Sequence, residues 1–290
     1  MSESNGSEKS PQGKRLLVVG CGDLGTHLAA LLHKQGVEVW GLRRDPSKLP
    51  AFIHPLAADV TSPTSLACLS GLQFDSAVIS LTPGEFSDQR YRQIFVDGLA
   101  NVLQVLSADQ LIFVSSSSVY HQSDEQWVDE DSPTTPSSFS GKRLLEAEAL
   151  LDGYASPTTV VRFAGIYGPG RRRLIEQVIN GEGSPAIYSN RIHRDDCVGF
   201  LAHLVLKQWA GVTLPACYLA VDSEPVLLSE VKIWLAGELG IDPTTLQAQS
   251  ATRRGSKRCS NRRMLASGYQ LRYPSFREGY QTVLNEQDRR

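Results

Sequence analysis

The sequence predicts an α/β fold, a doubly wound parallel sheet with a smaller C-terminal lobe on the substrate side. Three observations carry that reading. Short apolar runs alternate with stretches of helical period as far as Phe163. The first run empties directly into Gly20-x-Gly22-x-x-Gly25. Beyond Gly165 the clean strand signals thin out. Strands separated by helices of this length lie parallel and are covered on both faces, and right-handed crossovers leave the doubly wound topology.

Residues 1–13 are polar, lack the apolar stretch of a signal peptide and read as a disordered tail. Leu16 to Val19 is a buried-type strand. Leu24, Leu28, Leu31 and Leu32 then recur at helical spacing until Gly36, a helix-stop signal. Val37 to Leu42 is the second strand, and Arg43-Arg44-Asp45-Pro46 ends it. Strand, glycine turn, helix and strand within about thirty residues form the opening βαβ unit of a dinucleotide-binding Rossmann fold. A third strand precedes Ala57-Ala58-Asp59-Val60, and Ala77 to Leu81 is a fourth. Tyr91, Ile94, Phe95, Leu99, Val102, Leu103 and Leu106 mark one face of a long helix. Leu111 to Val114 runs as a strand into four serines, Lys142 to Leu151 is helical, and Thr159 to Phe163 is the sixth strand. Ser132 to Ser140 is the most loop-like internal stretch. Further on, Asp196 to Trp209 and Leu228 to Leu239 have helical character, while Cys217 to Val221 suits a late strand returning to the sheet. The boundary is placed between a dinucleotide-binding domain over 14–165 and a smaller lobe over 166–290.

Composition narrows the function. Among 290 residues, 29 Lys and Arg face 31 Asp and Glu, for a net charge of −2. That balance argues against a surface built for nucleic acid or anionic lipid. No apolar run approaches the ~20 residues that cross a bilayer. Five scattered cysteines with no C-x-x-C pair point away from a disulfide framework or structural zinc and toward a reducing, cytoplasmic setting. There is no G-x-S-x-G elbow, no G-x-x-x-x-G-K-[ST] loop and no H-E-x-x-H. The six histidines show no metal-ligand spacing, so no metal is expected. What remains is a small-molecule substrate.

The glycine turn explains how a diphosphate would be held. A bound phosphate needs the backbone at a helix start to come close, which a Cβ obstructs. Gly20 permits the tight turn, Gly22 admits the pyrophosphate, and Gly25 lets the helix pack on the strand. Asp23 and Leu24 lie between them, and Ser80 near the end of the fourth strand joins the candidate cofactor set. The second strand ends in two guanidiniums, Arg43 and Arg44, where a carboxylate would select the free ribose of NAD. A planar donor fork suits a 2′-phosphate, so NADP is favoured, with NAD as the alternative. The competing reading of the two arginines is a solvated pair after a strand. Asp59 either faces the adenine amino group or caps its loop.

Taken together, the glycine turn, Asn101, Ser115-Ser116-Ser117-Ser118-Val119-Tyr120, Lys142 with Glu146, Arg162 through Gly170 (RFAGIYGPG), Ile192-His193-Arg194-Asp195-Asp196 and Gly268-Tyr269 with Arg272-Tyr273-Pro274 resemble one superfamily. It is the short-chain dehydrogenase/reductases, in the extended or atypical branch related to nucleotide-sugar epimerases and dehydratases. The resemblance implies an NAD(P)-dependent oxidoreductase or epimerase, with a homodimer as its assembly. It also implies a trio: a serine on the substrate oxygen, a tyrosine that exchanges a proton, and a lysine that lowers the tyrosine pKa and holds the nicotinamide ribose. A phenol needs such an ammonium, since its pKa of about 10 makes it a poor base at neutral pH. Ser116, or the adjacent Ser117, takes the serine place, and Lys142, supported by Glu146, takes the lysine place.

The tyrosine does not match. Ser138 stands four residues before Lys142, followed by Phe139. Another residue supplies the proton, or the reaction needs no protein acid, or there is no turnover. Tyr120 and Tyr167 are the replacement candidates, with His121 and His193 also of suitable intrinsic pKa. For each, packing or capping is the competing role. Arg171-Arg172-Arg173 and the basic residues from Arg253 to Arg263 suit either an anionic substrate or a solvated loop. The alternative function is a non-catalytic NADP(H)-binding sensor.

Overall fold

The computed structural model describes residues 11–247 and 255–285. The expected tail therefore falls largely outside the described residues, as do Arg253 and Arg254. Strand β1 (Arg15–Val19) buries four apolar residues in succession, the pattern of a strand covered on both faces. Helix α1 (Asp23–His33) buries Leu24, Leu28 and Leu32 at i, i+4 spacing, and Gly36 turns the chain at φ +84. Strands β2 (Glu38–Arg43), β3 (Ile53–Ala57), β4 (Ser76–Ile79) and β5 (Leu111–Ser116) follow.

These strands join Thr158–Phe163 and Cys217–Ala220 in one seven-stranded sheet, the expected late strand among them. From one edge the order is Cys217–Ala220, Thr158–Phe163, β5, β4, β1, β2, β3. The pairs β1–β2, β1–β4, β2–β3 and β4–β5 are all parallel. The fold is thus the doubly wound parallel α/β sheet that the sequence predicts. Strand order reverses beside β1, and ligands of open α/β sheets bind at the carboxyl ends of the strands around such a point.

The long helix expected from Tyr91 onward contains an irregularity. Asp88–Tyr91 is α-helical, Arg92–Asp97 is π-helical, and Gly98–Val105 returns to α. The wider turn buries Ile94 and Phe95 in register with Leu99 and Val102. The fourth strand ends earlier than expected, at Ile79, so Ser80 and Leu81 leave the sheet for a loop.

Two compact units divide the chain. The first holds the described residues up to Val114, Arg143–Val160 and Val198–Ala216. The second holds Ser115–Lys142, Val161–Cys197 and the described residues from Cys217 onward. Each unit draws on three stretches of chain, so the path returns between them after residue 165. In the second unit three short strand pairs stand outside the main sheet: Gly165–Tyr167 with Arg191–His193, Tyr188–Ser189 with Val226–Leu227, and Gln126–Val128 with Lys257–Cys259. Its core gathers Tyr167, Ile175, Val178, Leu235, Phe276 and Tyr280. The Asp196 carboxylate ties the helix beginning at Arg194 to the C-terminal segment. It accepts from the Tyr269 hydroxyl at 2.9 Å and from the amides of Arg272 at 2.7 Å and Tyr273 at 2.9 Å. No helix among the described residues is long and apolar enough to cross a membrane.

His193 is fully buried beside this hub. Its Nδ1 accepts from the Asp195 amide at 3.2 Å, and Nε2 lies 3.3 Å from the Thr282 hydroxyl, which itself donates to the Gly279 carbonyl. The neutral Nε2–H tautomer satisfies both contacts. Burial, chiefly, pushes the imidazole pKa down from 6.5 to about 4, against the pull of Asp195. The unfolded chain therefore binds the extra proton first, and the stability that neutral His193 contributes is present above pH 6.5 and is lost as pH falls toward 4. Asp222, raised to about 8 by burial, works in the opposite sense, so the informative quantity is a difference between proteins. Urea unfolding from pH 7 to 4 is expected to show the parent losing up to about 3 kcal/mol relative to His193→Asn, in which that dependence is absent.

Candidate cofactor site

Beyond β1 the chain makes its turn at Gly20, with φ +78 and a backbone pressed on the end of β4. A Cβ there would lie 2.4 Å from the Ser80 carbonyl oxygen, so only glycine fits. At Gly25 a Cβ would meet Val18 Cγ1 at 2.7 Å, which is the helix packing on its strand. Gly22 differs from both. A Cβ there would meet nothing nearer than the Gly20 carbonyl at 3.8 Å, and α1 begins here without a side-chain cap. Protein packing thus explains Gly20 and Gly25 but not Gly22, and the open face lies at a helix start suited to an anion. The residues present fit a dinucleotide diphosphate.

Around that turn lies a cavity of about 420 Å³. Gly20, Cys21 and Gly22 form one part of its wall, Leu42 to Asp45 another, and Ala58 to Val60 a third. Leu81, Thr82, Arg90 and Ile94 complete it. Of the sequence-based set, Gly20, Gly22, Arg43, Arg44 and Asp59 line the cavity. Asp23 is exposed in the first turn of α1, while Leu24 is buried beneath it and Gly25 is a packing contact. Ser80 supports the turn from below, its carbonyl against Gly20 and its amide donating to Val19 at 2.8 Å.

The charges around the cavity are arranged unequally. Arg43 Nη1 donates to the Cys21 carbonyl at 3.3 Å, fastening the end of β2 to the glycine turn. Arg44 is exposed and makes no hydrogen bond among the described residues. Asp45 and Asp59 are each capped within their own turns, by the amide and hydroxyl of Ser47 and of Thr61 respectively. Those donors hold both carboxyls below the usual range and therefore ionised. Glu38 stands at the opposite end of β2. The Val60 loop is held by Asn101, whose Nδ2 donates to the Val60 carbonyl at 3.0 Å.

Sequence reasoning missed Arg90 and Ile94. Arg90 Nε donates to the Pro83 carbonyl at 3.0 Å and Nη1 to Gln93 Oε1 at 3.2 Å. No sequence signal marks them: the adjoining π turn, a feature frequent at functional sites, is visible only in the structure.

The second unit holds the other candidates. Ser116 Oγ accepts from the Ser118 amide at 3.2 Å. A Cβ at Gly141 would lie 2.4 Å from the Ser118 carbonyl oxygen, so the helix Phe139–Leu150 starts hard against the serine turn and brings Lys142 to that side. Lys142 is exposed. The expected support from Glu146 is corrected by the structure: both carboxylate oxygens of Glu146 accept from Arg143 Nη1, at 2.8 and 2.9 Å. Arg143 has the rigid fork and the closer spacing, and it also grips Asp88. Ser138, in the place of the expected tyrosine, acts as a helix cap, its Oγ accepting from the Gly141 amide at 3.2 Å.

Tyr120 and Tyr167 are both buried. The Tyr120 hydroxyl accepts from Arg162 Nη1 at 2.8 Å, and desolvation pushes its pKa up despite that guanidinium. Tyr167 stacks on Tyr280 with ring centroids 4.5 Å apart, and burial raises its pKa as well. Both phenols are packed, and burial favours their protonated forms. His121 is exposed and bonded to the Ser137 hydroxyl. Of the later basic cluster, Arg263 is committed to Asp131 and Glu130, and Arg258 stacks on Trp127 and Tyr188.

Comparison with known proteins sets this geometry in context. A sequence model of the NAD dependent epimerase/dehydratase family matches residues 16–190. A structure of a candidate NAD-dependent epimerase/dehydratase from Methylobacillus flagellatus is 40% identical, with TM-score 0.82, covering 95% of this chain and 99% of that one. The Bordetella bronchiseptica enzyme WbmG in complex with NAD and UDP has TM-score 0.78 at 17% identity, over 95% of this chain and 94% of that one. A 3-beta-hydroxysteroid dehydrogenase from Mycolicibacterium neoaurum is 28% identical over 254 residues, 75% of this chain and 68% of that protein.

Two alanine substitutions separate packing from ligand binding. Gly25→Ala is expected to lower urea stability by roughly 1–3 kcal/mol through its clash with Val18. Gly22→Ala is expected to leave stability within about 1 kcal/mol of the parent while weakening dinucleotide affinity at least about tenfold. Equilibrium unfolding and fluorescence titration check the pair. Equal dinucleotide affinity in Gly22→Ala and the parent would remove the phosphate from this turn.

Proposed function

Because this chain belongs to the NAD dependent epimerase/dehydratase family, we propose that it is an NADP-preferring oxidoreductase or epimerase-like enzyme acting on a small polar, nucleotide-sugar-like substrate. One observation carries the cofactor half of this reading: the glycine turn leaves Gly22 open at a cavity that Arg43 and Arg44 also line. When bound, the nicotinamide gives or takes a hydride. Gly20 and Gly22 receive the diphosphate against the start of α1, and Asp23 and Leu24 belong to that first turn. Arg43 and Arg44 take the ribose 2′-phosphate, since the neighbouring carboxylates are already engaged in their own turns. Asp59 lies with Val60 at the adenine side.

The chemical half rests on the second unit. Ser116 uses an oxygen lone pair on the Ser118 amide and keeps its own O–H, so it can donate to a substrate oxygen. Lys142 supplies an exposed ammonium from the adjacent helix start, fit to hold the nicotinamide ribose and to stabilise negative charge. Tyr120 and Tyr167 take packing roles in this scheme. Five scattered cysteines with no C-x-x-C pair support a cytoplasmic setting.

A second reading, a non-catalytic NADP(H) sensor, is favoured by Ser138. Its hydroxyl caps the helix from the position where the superfamily carries its tyrosine, so that place offers no phenol. Titration with NADPH and NADH, followed by turnover on ketones, aldehydes and nucleotide sugars, separates the readings. The enzyme reading expects NADPH to bind at least tenfold tighter than NADH, with Arg43→Ala/Arg44→Ala removing most of that margin, roughly 1.4 kcal/mol or more. It also expects Lys142→Ala or Ser116→Ala to reduce kcat by about a hundredfold or more. Tight NADPH binding with no turnover on any substrate class would favour the sensor, and a preference for NADH would overturn the assignment of the two arginines.

A further inference from the structure

Arg90 is the cation of the cavity wall that neither the glycine turn nor the end of β2 accounts for. It lies on the chain segment that leaves β4, where Leu81 and Thr82 also face the cavity. Its side chain is half-buried and anchored twice, to the Pro83 carbonyl at 3.0 Å and to Gln93 Oε1 at 3.2 Å. A guanidinium has five N–H donors, and two are spent on these anchors. The rest of the fork is available on a residue that lines the wall, and the anchors can persist when it is used. Arg90 and Arg44 are also the two cations whose fields act on Asp59, another residue of the cavity wall.

The same anchors tie Arg90 to the neighbouring loop. Pro83, Gly84, Glu85 and Phe86 bridge from the cavity wall to Ser87, whose hydroxyl accepts from the Arg90 amide at 3.3 Å. Gly84 has φ +77 with open space around it, and Phe86 is 72% exposed, touching Tyr91 edge-on. Beyond Ser87 the segment is held by Asp88, which accepts from the Arg143 fork at 2.7 and 3.0 Å. The loop is therefore fixed at its far end by Arg143 and at its near end by the Arg90–Pro83 contact, with the exposed aromatic between them.

We propose that Arg90 is a specificity-determining residue for the phosphorylated cofactor: its guanidinium completes, with Arg43 and Arg44, the site for the adenylate 2′-phosphate, and through Pro83 it couples occupancy of that site to the order of the Thr82–Ser87 loop. The assignment rests on the NADP preference proposed above and adds to it a residue from a different element, with a consequence for the loop. Phosphate on the remaining N–H groups holds the guanidinium still, and the Pro83 carbonyl bonded to it is held in turn. A dinucleotide without the 2′-phosphate leaves Arg90 with its two protein anchors alone.

The test uses the full chain with Arg90→Met, which keeps length and apolar volume, and Arg90→Lys, which keeps charge without the fork. NADPH and NADH affinities are measured by fluorescence titration, and loop order by the rate of chymotrypsin cleavage after Phe86 at saturating cofactor. Arg90→Met is expected to weaken NADPH roughly tenfold and to leave NADH within about twofold, with Arg90→Lys in between. NADPH, and not NADH, is expected to slow cleavage at Phe86 in the parent, and that protection is expected to vanish in Arg90→Met. Unchanged NADH affinity shows that the variant is folded. If the parent prefers NADPH and Arg90→Met retains the full preference, the role given to Arg90 is wrong while the cofactor reading stands. Equal weakening of both cofactors would make Arg90 a support of the fold, and overturns the proposal. A parent with no preference for NADPH would overturn the cofactor reading, and the proposal with it.

Discussion

The close approach of Gly20 to the Ser80 carbonyl is the contact on which the rest of the site depends. Because no side chain intervenes, the ends of β1 and β4 lie together and α1 can start immediately, its axis set by Gly25 on Val18. Any Cβ at residue 20 would lift the turn from β4 and rotate the helix start away from the cavity. Cys21, between the two glycines, is fully buried, so the turn is anchored on its inner side as well. What the packing leaves open is a single face, at Gly22. For the diphosphate proposed above, a turn so constrained would offer a surface that exists before the ligand arrives, and preorganised donors lose less on binding than donors that must first be ordered.

The sequence made the first half of this arrangement readable because local chemistry decides it. The run Leu16 to Val19, the spacing of Leu24, Leu28 and Leu32 and the three glycines each report on neighbours within a turn or a strand. The π-helical stretch was harder to see, since Ile94, Phe95, Leu99 and Val102 are compatible with an uninterrupted helix until one asks which of them share a face. Arg90 was invisible for a different reason. Its anchors are the Pro83 carbonyl and Gln93, but its place in the cavity wall depends on β3, β4 and the glycine turn meeting in space. The short strand pairs of the second unit are equally non-local. Lys257–Cys259 finds Gln126–Val128 across more than a hundred residues, and three-residue strands leave almost no periodic trace. Glu146 misled because i, i+4 spacing from Lys142 looked like support, whereas Arg143, one residue later, offers the better donor geometry.

The absent tyrosine takes on a structural meaning once the helix start is seen. A residue at position 138 stands where the chain passes from an extended loop into the helix Phe139–Leu150, and a serine there satisfies an otherwise unpaired amide. Gly141 then lets the helix meet the Ser118 carbonyl without a Cβ between them. The local sequence is consistent with itself as a cap and a close contact. It is not a tyrosine site with one residue changed, and restoring a phenol at position 138 would remove the cap as well as add an acid. Under the enzyme reading proposed above, Ser116 and Lys142 would work with a proton from elsewhere, or the reaction would dispense with a protein acid.

Under the cofactor reading proposed above, the cavity electrostatics account for how a nearly neutral protein would favour an anionic ligand at one place. Three guanidiniums line the wall with two carboxylates, which alone would make a weak preference. In each carboxylate, however, one oxygen, Oδ1, accepts from an amide and a hydroxyl of its own turn. Asp45 and Asp59 therefore stabilise loop geometry, while their charges still offset part of the guanidinium field in the cavity. Of the guanidiniums, only part of each donor set is used by protein: one contact for Arg43, two for Arg90 and none among the described residues for Arg44. Short-range hydrogen-bonding capacity, not net charge, is what the site offers, and under the cofactor reading proposed above a dianionic phosphate would use it more strongly than a neutral ribose hydroxyl pair.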